Sequence, residues 1–391
     1  MTNKQFVIRL ISANLSLLVL IGLFNRIVDP FWYYRDIEIK GFNVIKPKFR
    51  RYERHVKPAL LMREQPETII LGSSFSEIGF DPTNPFFTDH GRLKTMNFAL
   101  AGAPWDMVQC DFEFAVTHAN IKRALVGFQP GSLPIVNCAK DYASLGQIST
   151  GELLFSSRSL SASIQTIQEQ KKENPSHTRE GMYFYIRGQA GVDNQFRVFF
   201  TRRVKENPQC LNVTNTSDVS INTFSGSLLD LSGLQRMIKT AQVHGVELVL
   251  FAYPSHAYSL ELGMQCGEFN ERWQAMKQIA TLIEKESAGT VSAWYFYGFN
   301  DTTSEPIGAR AAKYWQDPEH FNFEMGNMML ADMFDKTRNK PEFGHRLNSS
   351  SIEADYRDFL RERAEYLQQH PKFHTDLNKI LHICSDPTSK C

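Results

Sequence analysis

Hydrophobic and polar positions along this chain change regime twice. Residues 6–24 are an apolar run, with Lys4 and Arg9 near its front and Arg26 and Asp29 behind it. Its uninterrupted core, 10–24, falls a little short of the ~20 residues that cross a bilayer. Residues 6–8 bring it close, with Arg9 reaching back to the interface. The pattern predicts an N-terminal transmembrane helix. No small-x-small site follows in Leu20-Ile-Gly-Leu-Phe-Asn-Arg26, so an uncleaved anchor is expected rather than a signal peptide. Lys4 and Arg9 put the N-terminus on the cytoplasmic side and the bulk of the chain on the other.

From residue 67 short apolar runs alternate with helical spacing. Residues 67–71, 93–100, 123–128, 246–252 and 291–297 read as strands, and 105–118, 228–244, 269–286 and 322–336 as helices. Gly245 suits a helix C-cap. Such alternation predicts an α/β domain with a mainly parallel sheet covered on both faces. Between these stretches, 151–170 has helical spacing, whereas 171–178 and 207–223 are polar. Residues 351–369 read as a charged helix outside the sheet. The expected organisation is an anchor over 1–26, a juxtamembrane segment over 27–66, an α/β domain over 67–340 with an insertion at about 132–224, and a C-terminal extension over 341–391.

Composition narrows the partners. Lys plus Arg number 43 against 42 Asp plus Glu in 391 residues, so nothing points to nucleic acid. The local bias lies at 27–57, where Ile27-Val-Asp-Pro-Phe-Trp-Tyr-Tyr34 suits a membrane interface and Lys46, Lys48, Arg50, Arg51, Arg54 and Lys57 follow. That basic run reads either as a contact to an anionic surface or as a solvated face. The six cysteines form no C-x-x-C pair, and none has a histidine at zinc-finger spacing, so no metal site is expected. Cys384 and Cys391 could close a small ring in an oxidising compartment; free thiols are the alternative. Asn212, Asn215, Asn300 and Asn348 begin N-x-S/T sequons.

The chemistry centres on the end of the first strand, Ile69-Ile-Leu-Gly-Ser-Ser74. A strand breaking at glycine into serines can hold a hydroxyl out at a sheet edge, where a nucleophile sits; the serines could equally cap a helix. A serine needs a base, and the base needs an acceptor on its other nitrogen. Of the 11 histidines only His320 has an aspartate three residues before it, Asp317, in a loop between the last strand and a helix. Asp317 could otherwise cap that helix. A third piece, Asn97-Phe-Ala-Leu-Ala-Gly102, is a strand ending at a glycine whose N–H could face an oxyanion together with the N–H of Ser74. There Asn97 either touches substrate or satisfies local backbone. His256, in Tyr253-Pro-Ser-His256, either touches substrate or packs.

Together these blocks resemble the SGNH, or GDSL-like, hydrolase family. Gly72-Ser73-Ser74 stands in the place of its Gly-Asp-Ser block, Gly102 in that of its oxyanion glycine, and Asp317 and His320 in that of its Asp-x-x-His block. The chain departs from the family in two places. Ser73 replaces the aspartate, and Val126-Gly-Phe-Gln-Pro130 stands where Gly-x-Asn-Asp should be, leaving Gln129 as a stand-in for the oxyanion asparagine. A Gly-Ser-Ser block behind an anchor is most similar to the branch containing the D-alanine transfer protein of teichoic acid and the alginate O-acetylation proteins.

The resemblance implies a flavodoxin-like three-layer α/β/α sandwich on the periplasmic side of a bacterial cytoplasmic membrane. It also implies an acyltransferase or esterase acting on acyl groups of a cell-surface polysaccharide or similar polymer, supplied by a membrane acyl-donor protein. Ser74 would be nucleophile, His320 base and acid, and Asp317 its orienting partner, with Ser74, Gly102 and Gln129 at the oxyanion, Ser73, Asn97 and His256 near substrate, and no cofactor. The alternative is a polymer-binding or assembly subunit that keeps the site's shape without turnover.

Overall fold

The structure is a computed structural model that describes residues 2–138, 149–171, 176–184, 192–206, 208, 227–308 and 312–385, the last four of these as backbone. The chain divides into two compact units, Met1–Gln65 with Asn137–Phe184, and Pro66–Val136 with Tyr185–Cys391.

The first unit begins with the apolar helix Asn3–Val28, started by a Thr2/Gln5 capping box. At 26 residues it runs about 39 Å, enough to cross a bilayer. A helix of mean hydropathy 2.2 that belonged to a soluble core would be buried; this one has 6% of its apolar window buried. Its last turns differ. Gly22, Asn25 and Val28 are buried, and Asn25 donates to Leu154 O (2.8 Å) and accepts from Ser163 Oγ (2.8 Å). Those partners lie on or beside the helices Thr150–Phe155 and Ser157–Gln168. The helix expected over 151–170 is thus two, broken where Ser156 turns to an extended conformation and caps the second. The helix Phe49–Glu64 was not foreseen. The basic run splits: Arg50, Arg51 and Arg54 are exposed on this helix, but Lys57 within it and Lys46 ahead of it are buried. Lys46 donates to Val28 O (2.8 Å) near Asp29, and burial brings its pKa down to about 8.

The second unit holds a six-stranded sheet, β1 (Thr68–Leu71), β2 (Thr95–Asn97), β3 (Arg123–Phe128), β4 (Glu247–Ala252), β5 (Val291–Tyr295) and β6 (His345–Arg346), in the order β2-β1-β3-β4-β5-β6. The first five are parallel, and β6 joins antiparallel at the edge. Every residue of β1, and all but the first of β3 and β4, is buried, which is why these strands read as unbroken apolar runs. Helix Trp105–His118 and β3 have the expected limits. The strand expected over 93–100 is regular over three residues only, although Phe98 N–H still donates to Ile70 O (2.8 Å) and Leu100 N–H to Gly72 O (3.1 Å) before the turn at Gly102.

Three helices of this unit, Asp193–Glu206, Ala257–Gln265 and Phe373–Ser385, were not foreseen. The division also falls differently from the expected insertion: 137–184 belongs with the N-terminal unit, while 185 onward, C-terminal extension included, belongs with the sheet. That extension is fastened by a buried cluster. Arg363 makes two 2.6 Å bonds to Glu261, and His374 Nε2 lies 2.9 Å from the same carboxylate. Burial would raise the Glu261 pKa, but these partners outweigh it and bring it to about 2. Cys110, Cys138 and Cys266 are disulfide-bonded. Cys210, Cys391, Asn212 and Asn215 lie outside the described residues, so the proposed Cys384–Cys391 ring does too.

Candidate active site

Parallel strands bring their carboxyl ends to one edge of the sheet, and the segments that leave this edge carry Ser74, Gly102, Asp317 and His320. At the end of β1, Gly72 takes φ +137°, a conformation few residues but glycine adopt. A Cβ there would also lie 2.3 Å from both Ser76 Oγ and Tyr253 Oη. The chain then passes through extended Ser73 into a short helix, Ser74–Gly79, which places Ser74 at the turn. Leu100 N–H donates to Gly72 O (3.1 Å), so the turn carrying Gly102 starts beside the serine turn. Gly102 is exposed at φ +69° with open space around it.

Ser74 Oγ lies 2.8 Å from His320 Nε2, and His320 Nδ1 lies 2.8 Å from Asp317 Oδ2. Asp317 is buried, and its other oxygen accepts the N–H groups of Glu319 (3.0 Å) and His320 (2.8 Å). Burial would raise its pKa; the bond and charge of His320 and these two N–H groups outweigh that and hold it below the ordinary value. Asp317 therefore does not cap the following helix. Asn322 does, accepting from Glu324 N–H (3.0 Å). The loop is closed by a bridge between Trp315 and Phe321, tied by Trp315 Nε1 to Thr302 O (2.8 Å), and fixed by His256 N–H to Pro318 O (3.0 Å). Next to the relay, burial pushes the Glu319 carboxyl up despite the charges of Arg203 and Arg272.

Two glycines bring this loop to the serine. Gly326, one turn into the helix Phe323–Phe334, sits so close to Gly79 that a Cβ on it would be 1.7 Å from Gly79 O. A Cβ on Gly79 would be 2.1 Å from the Phe321 ring.

Three of the residues expected near substrate are placed otherwise. Asn97 is fully buried and spends its amide on the carbonyls of Ser76, Glu77 and Phe80 (3.1–3.3 Å), ending the short helix. His256 is buried too. Its Nδ1 accepts from Tyr258 N–H (3.1 Å), its Nε2 faces Glu305 O (2.9 Å), and burial lowers its pKa to about 4, so it is a neutral helix cap. Ser73 gives its N–H to Tyr253 Oη (2.8 Å), and its hydroxyl is shut off from solvent. Gln129 is exposed just past β3.

The sequence reading passed over Phe75 and Tyr253. The Phe75 ring stacks on His320 (centroids 4.5 Å, 10°) and on Tyr253 (4.6 Å, 28°). Facing glycines at the ends of β1 and β3, Gly72 and Gly127, were the available sign that a large ring fills the space between these strand ends. Comparison with protein-family models and with curated proteins finds no match to this chain.

Proposed function

We propose that this chain is a membrane-anchored serine acyltransferase or esterase of SGNH type, working outside the cytoplasm on acyl groups of a cell-surface polysaccharide. The observation that carries the reading is the unbroken relay Ser74–His320–Asp317, with both links at 2.8 Å on one edge of a mainly parallel sheet. Such a relay suits acyl transfer. His320 Nε2 takes the Ser74 proton as Oγ attacks the acyl carbon, and then returns it to the leaving oxygen. Asp317, ionised at neutral pH because its pKa is held low, fixes the tautomer and balances the imidazolium. The N–H groups of Ser74 and Gly102 would receive the oxyanion. A sugar hydroxyl or water then takes the acyl group from Ser74.

In the finer fold this reading implies, helices cover both faces of the sheet as a three-layer α/β/α sandwich. The exposed apolar helix Asn3–Val28 supports a single-pass anchor, and the burial of Asn25 against Ser163 and Leu154 supports its retention, since cleavage would remove part of the unit's core. Disulfide-bonded cysteines support the oxidising side of the membrane, the bacterial periplasm. The acyl chemistry, the polymer and a membrane donor protein rest on the resemblance of the site blocks. A second reading, a polymer-binding or assembly subunit with little turnover, is favoured by one observation. Exposed Gln129 stands where an asparagine donor belongs, and losing such a donor costs about 3 kcal/mol of transition-state stabilisation.

The test is labelling of the detergent-solubilised protein with a fluorophosphonate probe. Label on the wild type and none on Ser74→Ala supports the nucleophile; equal label on both removes it. With an ester donor, release of the acyl group only when an oligosaccharide is added marks a transferase, and release in water alone an esterase.

A further inference from the structure

We propose that Phe75 and Tyr253 are positioning residues, a ring column that sets the plane of the His320 imidazole; this rests on His320 being the base for Ser74. Hydrogen bonds at Nδ1 and Nε2 fix where two ring atoms lie. They restrain rotation about the line through those atoms only weakly. A parallel ring against the imidazole face supplies the missing restraint, and Phe75 lies 10° from parallel at 4.5 Å. Phe75 directly follows the nucleophile in the chain, so one short segment places both Ser74 and the ring that aims its base.

The column has a fixed foot. Tyr253 continues β4, with its N–H on Phe128 O (3.2 Å), and its ring sits over two glycines that leave it room. A Cβ on Gly127 would be 2.3 Å from Tyr253 Cε1, and one on Gly72 would be 2.3 Å from Tyr253 Oη. That hydroxyl accepts the Ser73 N–H (2.8 Å), which pins the positive-φ turn immediately before the nucleophile. Tyr253 thus touches both arms of the site: the serine turn through its hydroxyl, and the histidine through Phe75. The column also acts on charge. When His320 takes the serine proton, the imidazolium faces the electron-rich face of Phe75, which adds a cation–π attraction to the stacking that neutral imidazole already has.

The experiment measures fluorophosphonate labelling of full-length protein in detergent. In that reaction Ser74 Oγ bonds phosphorus, fluoride leaves, and the proton passes to His320. Phe75→Leu should lower the limiting labelling rate by about 10- to 100-fold, in line with misplacement of a catalytic group, while the half-saturating probe concentration stays the same. Phe75→Tyr, which keeps the ring, should recover to within about threefold of wild type. Tyr253→Phe keeps the packing, loses the Ser73 bond and the longer one from Ser76 Oγ (3.4 Å), and should slow labelling by about three- to tenfold. This variant carries the test if Phe75→Leu loses its cooperative melt.

Labelling of folded Phe75→Leu at the wild-type rate overturns the column, as does equal slowing of Phe75→Leu and Phe75→Tyr. A wild-type protein that takes no label at Ser74 overturns the base assignment instead, and the column's role with it.

Discussion

Substituting Gly326 by alanine tests whether two helices, and not the relay residues alone, build this site. The added Cβ would stand 1.7 Å from Gly79 O, a backbone atom with no side chain to swing away. Carbon–oxygen contacts of this kind settle at about 3.3–3.6 Å, so the backbones must part by roughly 1.6–1.9 Å. Gly79 ends the helix that starts at Ser74, and Gly326 lies in the helix that follows His320. Much of the parting therefore falls on the 2.8 Å bond between Ser74 Oγ and His320 Nε2. Proton transfer needs about 2.6–3.2 Å, and a misplacement of about 1 Å can cost on the order of 100-fold. The expected outcome is a fall of at least about 30-fold in fluorophosphonate labelling, alongside about 1–3 kcal/mol of overpacking. A control, Ile238→Val on the helix Ser232–His244, loses about 0.5–1.5 kcal/mol without touching the site and should label normally. If Gly326→Ala melts early yet labels at the wild-type rate, the close approach does not set the geometry and the reasoning fails.

Asp317→Asn keeps the shape of the loop but loses the charge that holds the imidazole tautomer, so labelling should drop by roughly 10⁴-fold; a fall under tenfold would deny Asp317 its orienting role. Arg363→Leu leaves the Glu261 carboxylate buried with only His374 and Gln265 and should cost about 3–5 kcal/mol by denaturant unfolding. Glu261 has a folded pKa of about 2 against an ordinary 4.5, so its contribution is full above about pH 4.5 and is lost as pH falls toward 2. That difference is about 3 kcal/mol, and a melting profile of Glu261→Gln as steep as wild type over this window would contradict it. Asn25→Leu strands the Leu154 carbonyl and the Ser163 hydroxyl and should destabilise by about 1–3 kcal/mol. Intact mass should find the anchor retained; a mature N-terminus beyond Asn25 would break the argument.

Much of the sheet was legible because a strand buried on all sides leaves a continuous apolar run, as β3 and β4 do, and a helix at the surface leaves a 3.6-residue stripe, as Trp105–His118 does. The helices Asp193–Glu206 and Phe373–Ser385 were not foreseen although Phe196, Phe200 and Val204, and Phe373, Leu377 and Leu381, recur at helical spacing; those stripes lie outside the strand–helix alternation and pack on each other. At the site, Ser74, Asp317 and His320 could be named because the chemistry restricts the residue types and the blocks sit at strand ends. Asn97 and His256 carry polar side chains in equally suggestive places. What separates them is their partners: Asn97 and His256 spend their polar atoms on backbone groups, whereas Ser74, His320 and Asp317 bond to one another.

The positions of the parallel strands along the chain and the apolar N-terminal helix follow from local patterning: the period of burial is written into neighbouring residues. What lies 246 positions apart is not. That Ser74 and His320 meet at 2.8 Å depends on Gly79 and Gly326 touching, and on a histidine held face to face with a phenylalanine over a tyrosine seated between two strands. These are contacts between distant segments, set by how the sheet and helices fill space, and no local rule along the chain encodes them.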